Sequence, residues 1–267
     1  MVRKPAVAGQ FYTDDSRRLR AQVEAFMDGK GVRKKVFGII APHAGYVYSG
    51  AVAGEVYGRV EVPGTVMILG PNHHGLGAPA AVSLREEWMT PLGAVPINTT
   101  LAKLILEKSP MLTENAAAHQ YEHSLEVQAP FLQVARPDVT IVPVCLGLMD
   151  YDSCRELGLS LASAVREFGE DVLWVASSDM SHYEPDEIAR KKDELAISQM
   201  LALNPEGLYS VVSKKGITMC GVIPATVMLV AALEMGATKC ELVRYATSGD
   251  VSGDYRQVVG YAAVTVE

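Results

Sequence analysis

Val36-Phe37-Gly38-Ile39-Ile40-Ala41-Pro42-His43-Ala44-Gly45-Tyr46 is the stretch on which the fold turns. Its first six residues form an almost continuous apolar run with no polar alternation, the pattern of a strand buried on both faces inside a parallel sheet. Three more runs share that character: Val66–Leu69, Val139–Val144 and Val172–Ala176. Segments of helical spacing lie around them. Ser16–Met27 sets Leu19, Val23, Phe26 and Met27 on one stripe, and Tyr151–Phe168 repeats Leu157, Leu161, Val165 and Phe168. Asp186–Leu203 starts polar and turns apolar at Leu195, Met200 and Leu201. Such alternation predicts a three-layer α/β fold with a mostly parallel central sheet. Antiparallel strands are expected at Ala80–Leu84 and in a terminal pair, Glu241–Tyr245 with Tyr261–Val266. No linker, repeat or composition shift divides the chain, so residues 1–267 are expected to form a single domain.

Composition narrows the function. With 49% hydrophobic and 21% charged residues the chain is a folded protein rather than a disordered one. A net charge of −7 argues against nucleic-acid or anionic-membrane partners, which need excess Lys and Arg. The cysteines Cys145, Cys154, Cys220 and Cys240 form no C-x-x-C pair, and the N-terminus carries no signal-like apolar run. A cytoplasmic location is the expectation. The uncharged stretch Gly216–Leu233 contains Pro224, and a helix of about 12 residues after it would reach only about 18 Å. A bilayer core needs about 30 Å, so the stretch reads as a loop feeding a buried helix.

The six histidines fall in four short blocks. Three blocks directly follow predicted strands: Pro42-His43, Pro71-Asn72-His73-His74, and Ser177-Ser178-Asp179-Met180-Ser181-His182. Ligands of open α/β sheets bind just beyond the carboxyl ends of strands, so three strands deliver imidazoles to the edge where sites are built. Imidazole is the commonest metal ligand and moves protons near neutral pH. His43 and His73 would share one metal if their strands are neighbours. Asp179 would either ligate or orient an imidazole.

The fourth block, His119-Gln120-Tyr121-Glu122-His123-Ser124-Leu125-Glu126, contains the spacing H-x-x-E-H of certain zinc peptidases. On a helix, His119 and His123 would share a face with Glu122 beside them to activate water. The alternative is a capping cluster that opens a helix ending near Pro130, with Glu122 and Glu126 at its N-terminus. Cys220 precedes a helix that Pro224 opens, a position that favours a thiolate and suits a soft-metal ligand or a nucleophile. Phosphate loops, dinucleotide fingerprints and G-x-S-x-G elbows are absent.

Taken together, several blocks resemble the Memo family, whose prokaryotic members are labelled AmmeMemoRadiSam system protein B. They are Arg3-x-Pro5-Ala6-Val7-Ala8-Gly9-x-Phe11-Tyr12, Ala41-Pro42-His43-Ala44-Gly45-Tyr46, Leu69-Gly70-Pro71-Asn72-His73-His74, Glu122-His123-Ser124-Leu125-Glu126-Val127-Gln128, Ser177-Ser178-Asp179-x-Ser181-His182 and Cys220-Gly221. The resemblance implies a fold similar to class III extradiol dioxygenases, which use non-haem Fe(II). It implies a metal site at His43, His73 and Cys220, with Asp179 and His182 close by. A thiolate replacing the usual carboxylate would soften that site toward iron(II) or copper, zinc being the third candidate. His123 or His182 would move protons. The family label further implies a pathway link to a radical-SAM enzyme and an AMMECR-type protein. Three functions follow as expectations: a metal-dependent redox enzyme, a zinc hydrolase built on His119, Glu122 and His123, or a non-catalytic module binding a small molecule or peptide.

Overall fold

All four predicted apolar runs lie inside one sheet in a computed structural model that describes residues 2–28, 31–85 and 87–267. Their observed bounds are Gly38–Ala41, Thr65–Pro71, Thr140–Leu146 and Val172–Ser177. Every residue of the first two is buried, as an uninterrupted apolar run requires. All pairings among the four are parallel, with Ala41 opposite Ser177, Leu69 opposite Ala176 and Pro71 opposite Leu146. Val258–Val266 then pairs antiparallel with Gly38–Ala41 on one side, and Cys240–Thr247 pairs antiparallel with Val258–Val266. On the other side Ala80–Val82 pairs antiparallel with Thr140–Leu146. The sheet is thus parallel at its centre with antiparallel strands on both sides, and Thr113–Glu114 adds a last parallel pairing beyond Ala80–Val82.

The strand order answers the condition set for His43 and His73 to share a metal. Gly38–Ala41 and Thr65–Pro71 are not neighbours, because Val172–Ser177 lies between them and pairs with both. His43 and His73 therefore leave strands that flank a central one, and Ser177 and Asp179 emerge between them.

Helices cover the sheet in two groups. Tyr151–Phe168 packs with Val222–Glu234, and Ser16–Met27 packs with Tyr46–Tyr57 and Ala129–Ala135. The uncharged stretch before Leu233 becomes the Val222–Glu234 helix, almost wholly buried. Among the described residues no helix is long and apolar enough to cross a membrane. Asp15 caps the first helix through the N–H groups of Arg17 and Arg18, and Asp150 caps Tyr151–Phe168 through Ser153 N–H.

Tyr46–Tyr57 carries no helical signature in sequence, since it mixes Val, Ser and two glycines. Its glycines serve packing instead. A Cβ on Gly54 would stand 2.3 Å from Phe26 Cβ, and one on Gly50 would stand 2.4 Å from the Phe26 ring, so only glycine lets the two helices approach. Pro130 lies in the first turn of Ala129–Ala135, so it opens that helix rather than closing one. A second, three-stranded sheet joins Val2–Arg3, Glu87–Thr90 and Gly93–Pro96.

Candidate metal centre

The loops leaving Gly38–Ala41 and Thr65–Pro71 and the segment between the 3-10 turns at 116–119 and 126–128 bring His43, His73 and His123 together, one ligand-capable atom of each lying within 4.8 Å of the others. The His43 and His73 rings stand edge to face at 5.2 Å, while His73 and His123 stack at 4.6 Å. Two of the rings are oriented from behind. His73 Nδ1 lies 2.9 Å from Glu122 Oε1, and His43 Nδ1 lies 2.9 Å from Ser177 Oγ. In both, Nε2 is left free of these contacts.

Burial keeps His43 and His123 neutral at pH 7. Burial pushes the His43 pKa well below the ordinary value, and the neighbouring His123 and His73 push the same way. Burial likewise lowers His123 to about 4, against the opposing pull of Glu122. Burial by itself would raise Glu122. The hydrogen bond and charge of His73 and the Ser124 N–H outweigh it and hold the carboxyl at about 2.

Cys220 meets the trio at His43. Its Sγ lies 3.2 Å from His43 Nε2 and accepts the Asp179 N–H at 3.3 Å. That approach depends on Gly221, where a Cβ would stand 2.4 Å from both Ser177 O and Ser178 Cβ. Burial, helped by the Asp179 charge, pushes the Cys220 thiol up. Asp179 Oδ1 accepts the His43 N–H at 2.8 Å, and burial raises its carboxyl to about 6 against that bond. His182 stands slightly apart, its N–H donating to Thr218 Oγ1 and its Nδ1 lying 2.9 Å from Thr218 O. A carbonyl only accepts, so His182 Nδ1 carries hydrogen and Nε2 carries the lone pair.

His119 does not join the group. Residues 116–119 and 126–128 are separate 3-10 turns, so His119 and His123 do not share a helical face. The His119 side chain is 1% exposed, with its ring 5.8 Å from the Trp88 ring. The hydrolase expectation loses its geometric basis. Glu122 and Glu126 likewise do not serve as acids at a helix terminus: Glu122 backs His73, and Glu126 accepts from Ala6 N–H, Val7 N–H and the Tyr12 hydroxyl.

Two participants carry no signal beyond the motif block that contains them. The Arg3 guanidinium pairs with Glu126 at 2.6 Å, both fully buried, and donates to His119 O and Glu122 O while resting 4.2 Å over Trp88. It thereby ties the N-terminal segment to the loop carrying Glu122 and His123. Phe11, on the same segment, packs its ring 4.8 Å from that of His123. A charged residue near a terminus reads as exposed, and only its motif context sets Arg3 apart.

Comparison with known proteins agrees over nearly the whole length. Residues 3–265 match the family described as Memo-like protein. A MEMO1 family protein of Aquifex aeolicus is 48% identical over 262 residues, covering 97% of each chain. One from Methanothermobacter thermautotrophicus is 40% identical over 274 residues, covering 98% of this chain and 99% of its own. Among solved structures, an uncharacterized protein of Escherichia coli K12 shares the fold. It gives a TM-score of 0.60 at 14% identity, over 87% of this chain and 100% of that one.

Proposed function

The chain belongs to the Memo-like protein family, and from that premise we propose that it is a metal-dependent redox enzyme whose strand-end cluster takes iron(II) or copper. The observation that carries the reading is the convergence of the His43, His73 and His123 ring nitrogens within 4.8 Å, with Cys220 Sγ 3.2 Å from His43 Nε2. Structural side chains rarely crowd three imidazoles and a thiol without another purpose.

The donors fit such an ion. His43 Nε2, His73 Nε2 and Cys220 Sγ would hold it, a softer set than two imidazoles and a carboxylate. The bound metal would supply a Lewis-acidic, redox-active centre. Glu122 fixes the His73 ring through Nδ1, as outer carboxylates do for metal-bound histidines. Asp179 fixes the turn that carries His43 through its main-chain N–H. His123, neutral at pH 7 and partly open to solvent, accepts a proton inside the cluster, and Phe11 limits water on its far face. His182 offers its Nε2 lone pair from the rim. Each such base contributes on the order of 10²–10⁴-fold.

The test is metal content after anaerobic purification of the wild type, His43→Ala, Cys220→Ser and His123→Ala. Loss of metal in the first two variants, with retention in the third, supports the assignment. Full retention in both His43→Ala and Cys220→Ser overturns it. Retention in Cys220→Ser with loss in His123→Ala replaces the thiol by the third imidazole as ligand.

A further inference from the structure

The hydrogen atoms around His43 can be counted, because its neighbours are buried and nearly all of their capacity is used. Ser177 Oγ lies 2.6 Å from Ser124 O, 2.8 Å from Gln128 Nε2 and 2.9 Å from His43 Nδ1. A serine hydroxyl has one hydrogen and two lone pairs. Ser124 O is a carbonyl and can only accept, so the hydroxyl hydrogen goes there. Ser177 Oγ must then accept from both other partners.

The orientation of Gln128 is fixed in the same way. Its amide faces Pro42 O at 3.0 Å as well as Ser177, and a carbonyl opposite a second carbonyl would repel it, so the atom there is nitrogen. The Gln128 carbonyl end, Oε1, accepts from the Tyr57 hydroxyl at 2.9 Å. Both amide hydrogens are thus in use, one on Pro42 O and one on Ser177 Oγ. No hydrogen remains for Ser177 to give to His43.

We infer that Ser177, held by Gln128 and Ser124, is a positioning residue that fixes His43 as the Nδ1–H tautomer and leaves the Nε2 lone pair facing Cys220. Nothing in the central strand's sequence marks this role, and the hydrogen bonds of the Ser177 hydroxyl go to His43, Gln128 and Ser124. In the metal-free protein the Nε2 lone pair faces the Cys220 Sγ at 3.2 Å, with Asp179 O a second acceptor for the thiol at 3.7 Å. The same lone pair is the acceptor that a metal would take over. The consequence for metal affinity rests on the proposed metal site, whereas the tautomer itself does not.

The experiment is long-range nitrogen–proton NMR of the metal-free protein labelled with 15N-histidine, at neutral pH, on wild type, Ser177→Ala and Ser177→Thr. Wild type and Ser177→Thr are expected to show His43 with Nδ1 protonated and Nε2 bare, while Ser177→Ala shows a mixed or reversed tautomer. His182, fixed by Thr218, stays Nδ1–H in all three and serves as the internal control. An Nε2–H tautomer in wild type overturns the inference, as does an unchanged His43 spectrum in Ser177→Ala. Should Ser177→Ala not fold, the wild-type spectrum alone still decides the tautomer. Zn(II) titration of the same samples is then expected to show affinity about 10–100-fold weaker in Ser177→Ala, with Ser177→Thr restoring it. A fixed tautomer with no binding of Zn(II), anaerobic Fe(II) or copper in any sample would leave the inference standing and remove the metal reading instead.

Discussion

A neutral imidazole sits at position 119 with 1% of its surface exposed and no hydrogen bond of normal geometry to either ring nitrogen. Burial, followed by the nearby Arg3 charge, depresses its pKa to about 3. Between about 6.5, the unfolded value, and about 3, the unfolded chain binds one more proton there than the folded chain does. Stability from this group is therefore complete above the unfolded value and is lost as pH falls toward the folded one. Stability measured by urea denaturation is expected to fall by roughly 3 kcal/mol from this residue alone between pH 7 and pH 4. His119→Leu removes that contribution, so a variant losing as much stability as wild type over the same range would refute it. The same residue illustrates how a short pattern misleads: the H-x-x-E-H spacing acquires meaning only on a helix, and this segment forms two separate 3-10 turns.

At the scale of elements, the contact between Ser16–Met27 and Tyr46–Tyr57 sets the position of the turn that carries His43. Gly54 is the closest point, with Phe26 Cβ, C and O all within 2.7 Å of where its Cβ would stand. Alanine is a better helix former than glycine by about 1 kcal/mol, so an exposed glycine would gain from the change. Here the backbone of the partner helix cannot swing aside as a flexible side-chain tip can. Gly54→Ala is expected to cost a net 1–3 kcal/mol, about the penalty of overpacking, seen as a lower urea midpoint at unchanged slope. Stabilisation would show that the helices separate freely. Helix propensity missed this element for that reason: its glycines are there for the neighbouring helix.

Over the whole molecule, the N-terminal segment links the small sheet to the loop behind His73. Arg3 belongs to the Val2–Arg3 strand, and its guanidinium reaches Glu126 and the carbonyls of His119 and Glu122. Arg3→Leu leaves Glu126 buried without its counter-charge, which is expected to cost about 3–5 kcal/mol by denaturant titration. A loss under 1 kcal/mol would mean that the N–H groups of Ala6 and Val7 and the Tyr12 hydroxyl suffice for the carboxylate. Sequence alone determined the interior strands, because burial on both faces leaves an apolar run without alternation. It also determined that His43, His73 and Asp179 follow strand ends, because the chain must turn there, and the helices Ser16–Met27 and Tyr151–Phe168 matched their spacing to the residue. Tertiary structure decided the strand order that places Ser177 between the two histidine loops, the choice of His123 over His119, and the burial of Arg3. Those outcomes depend on pairs such as Arg3 with Glu126 and Cys220 with His43, which lie 123 and 177 residues apart. Local periodicity reports which face of an element is buried, and it carries no information on which distant side chain meets that face.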